Sequence, residues 1–476
     1  MGRTASLLHA LALVAAAVLP SCGGCSGSEL SGDAETRDTT TPDTAPPDSG
    51  PDPVADLDAD EVEIPPGIYW ARRYGTSEGS EQAEVVVETA GGGFIIAGYD
   101  KDYSFAIWLI GIDASGDIQW QKEYPLYGVD MSAGPTADGG IVLANDSWMA
   151  RLDREGDVVW RRQYATGGIS SILQASEGGF VAAGTRSVDP SGPTEIQVLR
   201  VDDAGEVVWQ IAFASDGEYK GKDVAETTDG GFIVVGTQRL MSVNHDALAI
   251  KLDASGALSW RMSYGGEGND DARAVHATDD GGAIVAGHRM VSSGASLSFW
   301  AMRIDADGVI VWQTELEGSY WDYLRGLDAT DDGGCVLAGS RQGGYDPDIS
   351  TIRTDAWAVK LDAAGDVAWQ RSYGGSDDSQ AMTVLQASDG GLVVAGCTAP
   401  FGMASREAWV LKTDSNGLIS PSCESTIGAP TLAVTVETDF DAEVPPLSFH
   451  ETDASSVLED VDGIVTDASS VVQCSS

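Results

Sequence analysis

Ala356-Trp357-Ala358-Val359-Lys360-Leu361-Asp362, then Ala363-Ala364-Gly365-Asp366, then Val367-Ala368-Trp369-Gln370-Arg371-Ser372-Tyr373: these residues decide the fold. They read as a buried strand, a tight turn and a half-buried strand. Upstream, each unit carries a Gly-Gly pair such as Asp229-Gly230-Gly231, which supplies the positive φ of a hairpin. A buried-looking run follows, as in Phe232-Ile233-Val234-Val235-Gly236 or Leu392-Val393-Val394-Ala395-Gly396. Ahead of the pair stands another strand, typified by Ala272-Arg273-Ala274-Val275-His276-Ala277-Thr278. One unit is therefore four short strands, A to D.

The unit recurs from Ile68 onward. Its marker Trp returns at Trp70, Trp120, Trp160, Trp209, Trp260, Trp312 and Trp369, at spacings of 40 to 57 residues. Six of the seven follow an Asp by seven positions: Asp113, Asp153, Asp202, Asp253, Asp305 and Asp362. Four residues after the Trp stands an aromatic, except where Leu316 replaces it. Four-stranded units at this period are propeller blades, and seven of them predict an all-β, seven-bladed β-propeller. Residues 67–74 carry a strand D with no strand C before it. The last unit runs from A to C, and Pro421 falls where its Trp should be. The N-terminal strand is thus expected to complete blade seven beside residues 408–414, leaving no open seam.

The Asp-x-x-Gly-x-x-x-Trp ending is similar to the repeat of quinoprotein-like (WD40-like) propellers. The whole string resembles a large family of exported bacterial propeller proteins over about residues 66–423. That resemblance implies a fold and almost no chemistry.

The chain has 476 residues and a formal net charge of −47. Such a balance excludes nucleic acid as the expected partner, because phosphate binding draws on clustered Lys and Arg. It equally disfavours docking on anionic headgroups through protein charge. Arg3 and the apolar run Ala5 to Leu19 read as a signal peptide over 1–21, too short to span a membrane. Leu19-Pro20-Ser21-Cys22 resembles the bacterial lipobox, which implies that Cys22 is acylated; Pro20 departs from its usual small residue. Residues 22–64, rich in Ser, Thr, Pro and Asp, are expected to be a disordered acidic tether. Gly23 follows the Cys where a retention Asp would stand, so an outer-membrane lipoprotein is expected, on either face. Residues 65–423 are assigned to the propeller and 424–476 to a separate C-terminal tail. Cys423 and Cys474 bracket that tail, and a disulfide between them is expected in an oxidising compartment. Cys335 and Cys397, at opposite ends of strand B in adjacent units, are expected to stay unpaired.

Most conspicuous residues have structural uses. Twelve of the 13 Trp sit on strands D or C, where flat side chains fill the wedge between blades. The strand C aspartates suit Asx-turns. As calcium ligands they offer one side-chain oxygen each, where calcium takes about six to eight. A basic residue two before that Asp (Arg151, Arg200, Lys251, Arg303, Lys360, Lys412) is expected to pair with an acid of the next blade. His245, His276, His288 and His450 show no metal-ligand spacing, and no nucleophile elbow or phosphate loop is present. No metal, cofactor or catalytic residue is expected.

A–B and C–D turns share one face and are nearly uniform, whereas the B–C and D–A loops on the other face vary. Ligand contacts concentrate on such loops. That face carries Arg186, Arg239, Arg289 and Arg341, just past strand B in units three to six, and Trp321 with Tyr320 and Tyr323. These residues are the candidate binding set for an anionic ligand. A monomeric, non-enzymatic scaffold that binds a protein or glycan is the expected function. The alternative is a polysaccharide hydrolase or lyase in the propeller mouth, which needs a His, Tyr or carboxylate cluster on one rim.

Overall fold

The computed structural model describes residues 69–419, except 76–79, 101–105, 128–130, 146, 165–166, 188–191, 215–216, 240–243, 267, 291–296, 317–320, 347–350, 374–377 and 400–405. Beyond 419 it describes the backbone of six short strands. The signal peptide, Cys22 and the tether lie outside the described residues, as do Tyr320 and Cys423.

Seven antiparallel sheets form a propeller, each ordered A–B–C–D. Blade seven is made from both ends of the chain: Trp70–Gly75 lies beside Glu407–Thr413, with Trp70 opposite Lys412 and Tyr74 opposite Ala408. The expected closure is therefore the observed one.

The spaced aromatics explain how blades attach to one another. Their bodies fill the wedges, as where Trp209 of blade three meets Phe232 of blade four edge-on at 6.3 Å. Their polar tips do more. The Trp260 indole donates to the carbonyl of Ala306 in the next blade at 2.8 Å, and the Tyr264 hydroxyl to that of Gly308 at 2.7 Å. Equivalent bonds run from Trp160 to Asp203 and from Tyr164 to Gly205. Where Leu316 replaces the aromatic, Thr314 donates to Gly365 instead. Each receiving C–D turn is closed by its own Asp, as when Asp253 Oδ1 accepts the amides of Ser255 and Ala257.

The basic residues before these aspartates pair differently from expectation. Lys251 meets Asp229, Arg303 meets Asp280 and Lys360 meets Asp332, each in the A–B turn of its own blade. Arg151–Asp138 and Lys412–Asp389 follow the same rule, and Arg200 donates to the Gly178 carbonyl. Strand C lies beside strand B, so the turn entering B is nearer than any acid of the next blade.

The tail departs further from expectation. Its described strands add a fifth strand to the outer, D edge of six blades. Ile427–Gly428 joins blade six, Val434–Thr435 blade five, Asp441–Glu443 blade four and Ser448–Glu451 blade three. Ser456–Leu458 then joins blade two, and Ser469–Ser475 joins blade seven. The segment is thus a belt hydrogen-bonded to the propeller's rim, not a separate appendix. Cys474 stands opposite Ala71 in that last strand. Cys335 and Cys397 are buried thiols that form no disulfide among the described residues.

Candidate functional site

The four arginines lie within strands B and not past them as expected: Arg186, Arg239 and Arg289 at the strand ends and Arg341 in the middle of Cys335–Asp346, and each is drawn to partners in its own blade. Arg186 stands 3.7 Å from Glu195, and Arg239 3.5 Å from Glu218. Arg289 lies 3.5 Å from Asp270 and 3.3 Å from Glu315. Arg341 sits over the Trp357 ring, 5.6 Å from its centroid. Trp321 and Tyr323 stack at 6.4 Å. Two buried aspartates mark the same rim. Burial pushes the carboxyls of Asp270 and Asp322 up to about 6, against the pull of Arg289 and Arg341 respectively.

A second set of residues converges in the central channel. In six blades the A–B ladder slips by one residue, and the slip leaves one strand A residue without a partner across the ladder: Glu84, Ser170, Lys222, Arg273, Arg325 and Met382. Such bulges re-aim a side chain. All six line a single cavity of about 410 Å³, reached by the inner strands of all seven blades.

The glycine that ends the apolar run of strand B makes the bulge possible. It lies opposite the residue just before the slip, as Gly236 lies opposite Gly221. A Cβ at Gly236 would stand 1.9 Å from the Lys220 carbonyl oxygen, and at Gly287 1.8 Å from that of Asp271. Blade two has Asn145 in this place, and its short strand A pairs without a slip. Its Met131 lines the same cavity.

Blades four, five and six thus present Lys222, Arg273 and Arg325 consecutively around the channel. The acids beside them are engaged. Asp223 Oδ1 accepts from Ser171 Oγ at 2.6 Å and from its neighbour's amide, and Oδ2 accepts the Val275 amide at 2.8 Å. One carboxyl therefore ties blades three, four and five. Burial raises its pKa despite these bonds. Glu84 takes a hydrogen bond from Gln82. Arg273 is buttressed from behind, where its Nη2 and Asp271 Oδ2 lie 3.4 and 3.3 Å from His288 Nε2. Burial, aided by the Arg273 and Arg325 charges, holds His288 below the usual imidazole range.

His288 and Tyr323 pair edge to face at 6.2 Å. His288 is only 5% exposed, so its ring supports Arg273 and offers no base to a substrate. His276, on the inner strand of blade five, has Nδ1 3.1 Å from Asp328 of blade six. Among the described residues no group of acids, His or Cys is arranged to hold a metal ion.

Residues 194–415 match the family model described as outer membrane protein assembly factor BamB. The match covers the last two strands of blade three, blades four to six and most of blade seven, somewhat under half of the chain. No curated protein matches. Solved structures do. The polysaccharide lyase Uly1 is similar at 10% identity over 70% of this chain and 90% of its own, with a TM-score of 0.45. A protein of unknown function from Dyadobacter fermentans is 13% identical over 73% of this chain and all of its own, at 0.40. The endo-arabinase of Bacteroides thetaiotaomicron is 13% identical over 51% of this chain and 92% of its own, at 0.27. Likeness at this level carries no argument about chemistry.

Proposed function

We propose that this chain is a non-enzymatic, outer-membrane lipoprotein, held by an acylated Cys22, that binds a protein or an anionic glycan through its variable-loop face. One observation carries the choice of face. The C–D turns opposite are consumed by the fold, since indoles and phenols of the preceding blade occupy their carbonyls. The B–C and D–A loops on the other face vary in length and sequence from blade to blade. Arg186 and Arg239 stand there 3.7 and 3.5 Å from their carboxylates and Arg341 over an aromatic ring, so a ligand carboxylate can compete for their guanidinium forks, whereas Arg289 is held by buried Asp270 and Glu315. Trp321 with Tyr323 offers a stacking surface for a sugar. The BamB-type family match suits an envelope location. The test is the mature chain on an array of acidic polysaccharides and in a pull-down against envelope proteins. Replacing Arg239 and Trp321 together should weaken the bound partner without lowering thermal stability. Unchanged binding would remove the loop face from the function, and Cys22→Ala leaving the protein in the membrane would remove the anchor.

A further inference from the structure

We propose a second site, independent of the loop face: Lys222, Arg273 and Arg325 form an oxyanion-binding site inside the propeller channel, for a carboxylate, sulfate or phosphate group on a small ligand.

Three observations support it. The cations stand on consecutive blades at equivalent bulges, so they share one cavity of about 410 Å³. That volume accommodates a small ligand. In a chain of net charge −47, three neighbouring cations on an inner wall run against composition. Asp223 is fixed by hydrogen bonds from Ser171, Val224 and Val275, which sets the inner strands that carry the cations.

The cradle is also braced. Asp223 locks three inner strands together, and Asp271 with His288 holds Arg273 from behind. A guanidinium already oriented loses little freedom on meeting a planar anion. Hydroxyls of Ser132 and Ser170 line the same cavity and can complete the shell, whereas the Ser171 hydroxyl donates to Asp223. Glu84 and Met131, across the channel, give the site a polar side and an apolar side, which favours an anionic group carried on an organic body.

The experiment is calorimetric titration of the mature protein at low ionic strength with two probes, inorganic phosphate and trigalacturonate. The phosphate arm reads a free oxyanion and the trigalacturonate arm a saccharide carboxylate. Saturable binding of at least one probe is expected. It should weaken about tenfold or more in Arg273→Gln and in Arg325→Gln, since a charge-assisted bond is lost. Arg325 is exposed on the channel wall, so its variant should keep the wild-type melting temperature and remain interpretable if Arg273→Gln is less stable. Arg154→Gln, in an exposed C–D turn, should bind as wild type. Absence of saturable binding to either probe, or equal affinity in Arg325→Gln and wild type, overturns the channel site. The loop-face proposal reads other variants and other ligands, so either can fail alone.

Discussion

The indole of Trp70 donates a hydrogen bond to the carbonyl of Ala114 at 2.9 Å, and this contact joins blade seven to blade one. Two neighbours reinforce it: Tyr74 donates to Gly116 at 2.8 Å, and Arg72 meets Asp117 at 2.7 Å. The first strand of the propeller therefore both completes the last blade and clasps the first. Trp70 is 1% exposed, and Trp70→Ala leaves a cavity at the ring's only two-ended blade. The expected loss is about 3–5 kcal/mol in chemical denaturation. Deleting residues 67–74 should cost more than deleting residues 27–60. The reverse order would mean that the clasp does not hold the ring.

Gly236 tests whether the strand B glycines build the channel. A methyl there would meet the Lys220 carbonyl oxygen at 1.9 Å, so the bulge that carries Lys222 must shift. Gly236→Ala should lower stability by about 1–3 kcal/mol and weaken anion binding in the channel. A variant that melts and binds as wild type would show that the bulge tolerates a side chain opposite it.

Asp322 gives the fold a pH dependence of predictable sign. Its folded pKa of about 6 exceeds the ordinary 3.8, because the carboxyl is buried and Arg341 with the Gln342 amide only partly offsets that. Folding thus favours the protonated form. The stabilising contribution is complete below 3.8 and is lost as pH rises through about 6. The difference corresponds to at most about 3 kcal/mol. Asp322→Asn should melt above wild type at pH 7 and converge with it near pH 4. Parallel curves across that range would show that Asp322 is ionised throughout.

Blade number and ring closure were legible because every unit repeats the same spacing. The missing Trp at Pro421 and the orphan strand around Trp70 needed only to be put together. Channel chemistry was harder to see, since Lys222, Arg273 and Arg325 look like ordinary solvent-facing positions of an alternating strand. The signal lay in the partner strand, in a glycine ending each run from Phe94 to Gly98 through Leu392 to Gly396, with Asn145 as the break. Nothing in strand A itself announces the slip. Pairing of the basic residues within their own blade also needed the sheet order, because sequence spacing does not reveal which turn is near. The belt escaped because its pieces are two to seven residues long and lack a periodic apolar run. Yet its strands begin at Ile427, Val434, Asp441 and Ser448, in steps of seven. The near repeat Thr452-Asp453-Ala454-Ser455-Ser456-Val457 returns at Thr466 after fourteen, twice that step.

The belt's two ends bear on the cysteines. Ile419, the last buried residue of the propeller, belongs to the same core cluster as Ala71, and Ala71 pairs with Cys474. The chain therefore leaves blade seven and returns to it, and Cys423 follows Ile419 by four residues in sequence. A Cys423–Cys474 disulfide would close the belt around the rim and, for a loop of this length, contribute about 4 kcal/mol. Non-reducing peptide mapping of the exported protein should recover that pair, with Cys335 and Cys397 alkylated only after unfolding. Burial pushes the Cys335 thiol up to about 12, which makes it a poor nucleophile while folded. Stopping the chain at Ser420 should remove all six added strands and expose the D edges they cover. Exposed edges pair with other chains, so the truncated protein should self-associate in light scattering. A truncated chain that stays monomeric with an unchanged melting temperature would show that the rim needs no belt.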